Sequence, residues 1–159
     1  MDDAECFFDL MGNPKVMNPI PLPECTREQS ELKLKELILN QEQPGEKKIW
    51  AVSLKYEKEL IALCGLLINN DNEPELAYRI REKYWSNGYG TEIAEGLISY
   101  CFTHLQKELI TADVWLENPK SMAILNKFMT PKNDFYNEEF QCHDRRFVLY
   151  KKDWLKTQN

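Results

Sequence analysis

Residues 77–102 read AYRIREKYWSNGYGTEIAEGLISYCF, and the architecture follows from this stretch. Residues 75–81 have the look of a strand. At Ser86-Asn87-Gly88-Tyr89-Gly90 the pattern changes. Beyond it Ile93, Ala94, Leu97, Ile98, Cys101, Phe102 and Leu105 recur with helical spacing, which predicts an amphipathic helix over 91–105. Residues 109–116 (LITADVWL) then read as a strand. A strand–helix–strand crossover of this length implies a parallel pair, or a near-parallel one that splays apart. The loop in between carries two glycines two apart, which allow unusual φ values and close approach by a ligand. Loop amides followed by a helix N-terminus make an anion site, because free N–H groups and the helix dipole both favour negative charge. Arg79, Arg81 and Lys83 lie just upstream and can add local positive charge. A Walker loop is excluded by the missing Gly-Lys-Ser/Thr. A dinucleotide fingerprint is excluded because Ile93 stands where a third glycine is required. A tight strand-to-helix turn without any ligand is the alternative reading.

Working outward, residues 4–11 predict a short helix stopped by Gly12, Asn13 and Pro14. Three prolines within residues 18–23 demand an extended loop. Thr26 opens a helix, with Gln29 placed for a capping box; Pro44 and Gly45 end that region. Residues 48–54 and 60–69 predict a hairpin, with Gly65 hinting at a bulge. Downstream, Asn118 and Pro119 are N-cap and first position of another helix, on which Met122, Leu125 and Met129 can share a face. Two last strands are expected at 135–142 and 145–151, joined by His143 and Asp144. The chain is α+β: a mixed, mostly antiparallel central sheet flanked by helices.

A length of 159 residues is that of one domain, spanning 1–159. The longest apolar run, residues 60–68, is far short of the roughly 20 residues a membrane span needs, and the first residues lack the pattern of a signal peptide. A cytoplasmic protein without membrane association is expected. The net charge of −6 argues against nucleic acid as a partner. Five cysteines without any C-x-x-C spacing, and only two histidines, point to buried thiols and to no metal.

The segment 77–102 resembles the acetyl-CoA-binding motif of the GNAT N-acetyltransferases, with Trp85-x-x-Gly88-x-Gly90 standing for that family's Q/R-x-x-G-x-G/A loop. It is most similar to the branch of the ribosomal-protein N-terminal and spermidine acetyltransferases. VWLENPKSMAILNKF at 114–128 resembles the same family's N-x-x-S…K helix. Two motifs in order, about 30 residues apart, are far more specific than either alone. The resemblance implies a GNAT-like fold and acetyl-CoA as co-substrate. It implies that Arg79, Ile80 and Arg81 lie on the strand edge whose backbone pairs with the pantetheine arm, a form of strand addition. Trp85, Ser86, Asn87, Gly88, Tyr89 and Gly90 would wrap the diphosphate, with Thr91 at the helix start. Asn118 resembles the asparagine that bonds the coenzyme arm, although an N-cap role is the plainer reading. Lys127 could approach the coenzyme or simply be solvated.

Acetyl transfer needs a neutral amine, a polarised carbonyl and a protonated or stabilised leaving thiolate. The tyrosine that serves some family members as the acid is replaced here by Leu125. Ser121 matches the serine of the ribosomal-protein branch and is the candidate acid. Glu75 is the candidate base, with Glu117 and Tyr78 as secondary candidates. Two departures stand out: the family's opening strand is absent, so that either the sheet lacks a strand, leaving an edge open to a homodimer or to aggregation, or the start is truncated; and the turn after Lys127 reads Phe128-Met129-Thr130. The implied function is direct acetyl transfer from acetyl-CoA to a primary amine, on a protein N-terminus, a polyamine or another small amine. The alternative is a non-catalytic acyl-CoA-binding or interaction protein. The acceptor itself is not legible, since the N-terminal helices and late loops carry no readable chemistry.

Overall fold

A computed structural model describes residues 3–19, 22–41 and 47–158. The elements run α1 (Ala4–Met11), α2 (Pro14–Met17), α3 (Arg27–Gln41), β1 (Lys48–Ser53), β2 (Leu60–Ile68), β3 (Pro74–Ile80), α4 (Tyr89–Thr103), β4 (Leu109–Trp115), α5 (Pro119–Leu125), β5 (Thr130–Asn137), β6 (Cys142–Tyr150) and α6 (Lys151–Thr157). The six strands form one sheet in the order β1-β2-β3-β4-β6-β5. All neighbours are antiparallel except β3 and β4. That parallel pair touches at a single register position, Glu75 opposite Thr111. The two strands therefore splay below this point, as the long crossover through α4 predicts.

Each face of the sheet has its own core. On one, Leu97, Ile98, Cys101 and Phe102 of α4 pack with Leu66, Leu76, Ile110, Leu125 and Phe147. On the other, Phe7, Leu10 and Met11 of α1 pack with Val16, Met17, Cys25, Leu34 and Leu60. Strand β3 divides its side chains between the two by simple alternation. Leu76 and Tyr78 join the α4 side, whereas Arg79 and Arg81 reach Met11 and Asp9 of α1.

The capping box forms as expected. The Thr26 amide donates to Gln29 Oε1 at 2.9 Å and the Gln29 amide to Thr26 Oγ1 at 3.2 Å. Asn118 accepts from the Ser121 amide as N-cap of α5, with Pro119 at its first position. Elsewhere the structure corrects the sequence. Gly65 is no bulge: it pairs regularly with Ile49 and Ala77, and the register shift falls between Val52 and Ser53. Gly65 is there because a Cβ would lie 2.6 Å from the Lys48 carbonyl oxygen. After Gly12 the chain does not stay irregular. Asn13 caps the short α2 by accepting from the Lys15 amide. The last hairpin turns after Asn137, not at His143 and Asp144, because the Asn137 side chain accepts from the amides of Glu139 and Phe140. His143 and Asp144 lie inside β6. α6 was not foreseen; its Trp154 ring lies 5.3 Å from that of Phe102, centroid to centroid. The loop residues Pro44 and Gly45 lie outside the described residues, as do Ile20 and Pro21 of the proline-rich stretch.

Among the described residues no strand precedes α1, so β1 is a sheet edge. No helix among them is long and apolar enough to cross a membrane. The five cysteines are free, and all but Cys6 are buried. Burial pushes the thiols of Cys64 and Cys101 up to about 11, which leaves them protonated and inert at neutral pH.

Candidate active site

The glycine loop sits where β3 hands over to α4. Gly88 is the N-cap of α4 with φ of 85°, a left-handed conformation that costs other residues about 1–2 kcal/mol. A Cβ placed on Gly88 would find nothing within 4 Å, so the loop mouth is open there. Gly90 sits against a close neighbour instead. A Cβ on it would lie 2.7 Å from Ile124 Cδ1 and 3.4 Å from Ile80 Cδ1, so any side chain there displaces the end of the Ile124 side chain. The amides of Gly88, Tyr89 and Gly90 make no hydrogen bond to the chain. They are the unsatisfied donors of a helix start, and they suit an anion.

The remaining loop residues shape this cradle. Trp85 is tied down by its indole N–H, which donates to the Ile80 carbonyl at 2.8 Å. Lys120 stands over its ring at 4.4 Å. Asn87 donates back to the Trp85 carbonyl, and Ser86 takes φ of 63°. Lys127 reaches across from the end of α5 to Thr91, 3.1 Å from its hydroxyl, which puts a cation beside the first turn of α4.

The expectation for the β3 backbone needs correction. The Arg81 amide donates to the Ile61 carbonyl of β2. Antiparallel alternation then turns the Arg79 and Arg81 main chains toward β2, and those of Tyr78 and Ile80 toward the splay. Of the three residues expected at this edge, only Ile80 presents its backbone to the opening; Tyr78 is the partner that the reading missed. Nor do Arg81 and Lys83 add free charge to the loop. Arg81 is clamped by Asp9 at 2.7 Å and Glu59 at 2.7 Å, and Lys83 also bonds Glu59. Lys83, Arg81 and the Tyr84 hydroxyl together hold the Glu59 carboxyl down at about 2.

At the head of the splay the proposed chemical groups gather along one groove. It is lined by Glu75, Tyr78, Asp113, Asn118, Ser121 and Leu125, among others. The hydroxyls of Tyr78 and Ser121 are hydrogen-bonded at 3.0 Å, joining β3 to α5 across the opening. Burial keeps the Tyr78 phenol protonated by raising it above its ordinary range. Asn118 is occupied as N-cap, accepting from the Ser121 amide at 3.1 Å, and this bond also fixes where Ser121 sits. Its Nδ2 lies 3.4 Å from the Pro19 carbonyl. Glu117 is exposed and lies outside the groove lining.

Glu75 is pushed up to about 7, first by burial and then by the negative Asp113. Arg146 offsets this only in part, because it is already committed. It holds Asp113 through two bonds of 2.8 and 2.7 Å and also bonds Asp71. A carboxyl poised near neutrality beside a splayed sheet is suited to move a proton at physiological pH. No cluster of histidine, cysteine or carboxylate side chains able to hold a metal occurs among the described residues.

Comparison with known proteins agrees with this geometry. The acetyltransferase (GNAT) domain profile matches residues 1–128. An uncharacterised N-acetyltransferase, p20 of Bacillus licheniformis, is 24% identical over 99% of this chain and 90% of its own length. Among solved structures, a GNAT-family acetyltransferase from Bacillus anthracis superposes with a TM-score of 0.80 at 20% identity, covering 95% of this chain and 90% of that one. Spermidine N-acetyltransferase from Vibrio cholerae, solved with CoA and spermine, gives the same TM-score at 20% identity, covering 97% and 93%.

Proposed function

Because this chain belongs to the GNAT acetyltransferase family, we propose that it moves an acetyl group from acetyl-CoA to a primary amine by direct attack in a ternary complex. The observation that carries this reading is the splay between β3 and β4, with free loop amides at one end and Glu75 at the other. The diphosphate rests on the amides of Gly88, Tyr89 and Gly90, with Trp85, Ser86 and Asn87 as the loop's outer wall and Thr91 and Lys127 beside it. The pantetheine arm lies along β3 and takes its hydrogen bonds from Tyr78 and Ile80, as an added strand would. Asn118 serves the coenzyme indirectly, by holding Ser121.

Chemistry then follows from the positions. Glu75 takes the proton from the ammonium or the attacking nitrogen. The nitrogen adds to the thioester carbonyl, whose oxygen is met by the Tyr78 amide. The carbon–sulfur bond breaks, and the sulfur leaves toward the Ser121 hydroxyl. With Tyr78 donating to Ser121 Oγ, the serine's own hydrogen is free for the sulfur. That arrangement offers the leaving group a hydrogen bond where Leu125 offers none.

The test is thiol release from acetyl-CoA against a panel of amines, amino acids and basic peptides. Turnover with at least one acceptor is expected. Coenzyme A binding without turnover on any of them would mean a binding protein on this fold. Ser121→Ala should lower kcat about tenfold, the worth of one hydrogen bond to a charged atom, with little change in coenzyme affinity. Tyr78→Phe should cost less, and the double variant no more than Ser121→Ala, because the two act as one unit. Turnover of Ser121→Ala within twofold of the parent would make the serine structural only.

A further inference from the structure

The chain has five arginines, and four of them are matched to carboxylates. Arg27 bonds Glu5, Arg81 bonds Asp9 and Glu59, Arg145 bonds Asp134, and Arg146 bonds Asp113 and Asp71. Arg79 is the exception. Its Nη1 lies 2.8 Å from the Met11 sulfur, a weak acceptor, and no carboxylate among the described residues reaches it. It is not a solvated surface side chain either. Arg79 is partly buried against α1, and the loss of water around it pulls its pKa down, with only Cys25 acting the other way among the described residues. A guanidinium taken from water without a carboxylate partner is a cost that a folded chain seldom leaves in place. In a protein of net charge −6, the lack of a carboxylate partner among the described residues stands out.

The place of Arg79 gives the vacancy a meaning. Its side chain lies on the same face of β3 as Glu75, with Ala77 between them, by strand alternation. All three line the one groove that also takes in Asp113 and the Met11 end of α1. This is the face opposite Tyr78, so it looks to the acceptor side of the sheet and not to the α4 side. One end of the groove carries the carboxyls of Glu75 and Asp113, the latter held by Arg146. The other holds a guanidinium that no carboxylate among the described residues pairs. We propose that Arg79 receives a carboxylate of the acceptor, so that the acceptor is an amino acid or related amino carboxylate whose amine is presented at Glu75. The guanidinium fork matches a carboxylate in two parallel hydrogen bonds, and a partly desolvated site strengthens them. This proposal rests on the acetyl-transfer reading and narrows its acceptor away from simple polyamines.

The experiment compares acceptors that differ only in the carboxylate. L-amino acids are set against their carboxamides, and lysine and ornithine against cadaverine and putrescine, with acetyl-CoA saturating. At least one carboxylate-bearing acceptor should exceed its uncharged counterpart by about tenfold or more in kcat/KM. Arg79→Gln should erase that preference through KM, leave coenzyme A affinity unchanged and keep or raise Tm, since an unmatched charge is removed. Arg79→Lys should restore part of it. Turnover on carboxylate-free amines alone, or a preference that survives in Arg79→Gln, overturns the inference and leaves acetyl transfer standing. Coenzyme A binding with no turnover on any amine overturns the acetyl-transfer reading, and this inference with it.

Discussion

Glu75→Gln lowers kcat/KM by on the order of a hundredfold, and the rising acid limb of the pH profile, near pH 7 in the parent, disappears. The carboxyl is half-buried on β3 and close to Asp113, so its proton is held up to about 7 instead of being lost near 4.5. Only the ionised form can accept a proton, so the parent's activity climbs as pH rises through 7. Gln keeps the shape but cannot take the proton. Coenzyme affinity should stay the same, because the residue lies at the far end of the splay from the glycine loop. The same substitution carries a second signature in stability. Below about pH 4.5 the carboxyl is protonated in both folded and unfolded chains and contributes nothing. Between 4.5 and 7 unfolding releases its proton, so stability falls as pH rises, and above 7 the full penalty is present. A shift from 4.5 to about 7 corresponds to about 3 kcal/mol. Glu75→Gln should therefore raise Tm at pH 8 and leave it nearly unchanged at pH 4. An enzyme that slows equally at every pH and gains no stability at pH 8 would remove Glu75 from the role of base.

Gly88→Asp raises the Kd for coenzyme A at least about a hundredfold while the protein stays folded. The position has φ of 85°, so a side chain there costs about 1–2 kcal/mol of backbone strain. This is within the stability of an ordinary domain, and Asp tolerates the region better than most residues. Space is not the obstacle, since a Cβ meets nothing within 4 Å. The loss comes from charge: a carboxylate would enter the cradle of free amides, occupy it and repel a diphosphate. Gly88→Asn separates the two effects. It pays the same backbone penalty without the charge and should lose far less affinity. Calorimetry on both variants decides the matter. If Asp and Asn weaken binding equally, the loop does not grip an anion.

How much of this was legible in the chain alone is clearest at particular positions. The periodicity of Ile93 to Phe102 was enough to place α4, because a one-sided apolar stripe is a local property, although the helix starts at Tyr89, two residues before the expected 91. The same holds for the Thr26–Gln29 box and for Asn118 ahead of Pro119, where donor and acceptor are three residues apart. The last hairpin was misplaced because its turn is set by the Asn137 side chain bonding two nearby amides, a choice that apolar patterning does not register. α6 escaped notice because its reason for being helical, Trp154 against Phe102, lies some fifty residues away.

The candidate site divides along the same line. Which residues form the loop of free amides ahead of α4 was written in the order of glycines, small polar residues and the helix behind them. Which main-chain groups of β3 face the opening depends on hydrogen bonds to β2, and only the register shows that Tyr78 and Ile80 do so while Arg79 and Arg81 do not. The elevated proton affinity of Glu75 comes first from burial by the fold around it and then from Asp113, 38 positions later, brought close across the parallel pair. The isolation of Arg79 is a property of what surrounds it, invisible among five arginines in a chain rich in acids. Local order is set by neighbours in sequence, whereas charge, burial and pairing are set by neighbours in space, and the chemistry of this protein is of the second kind.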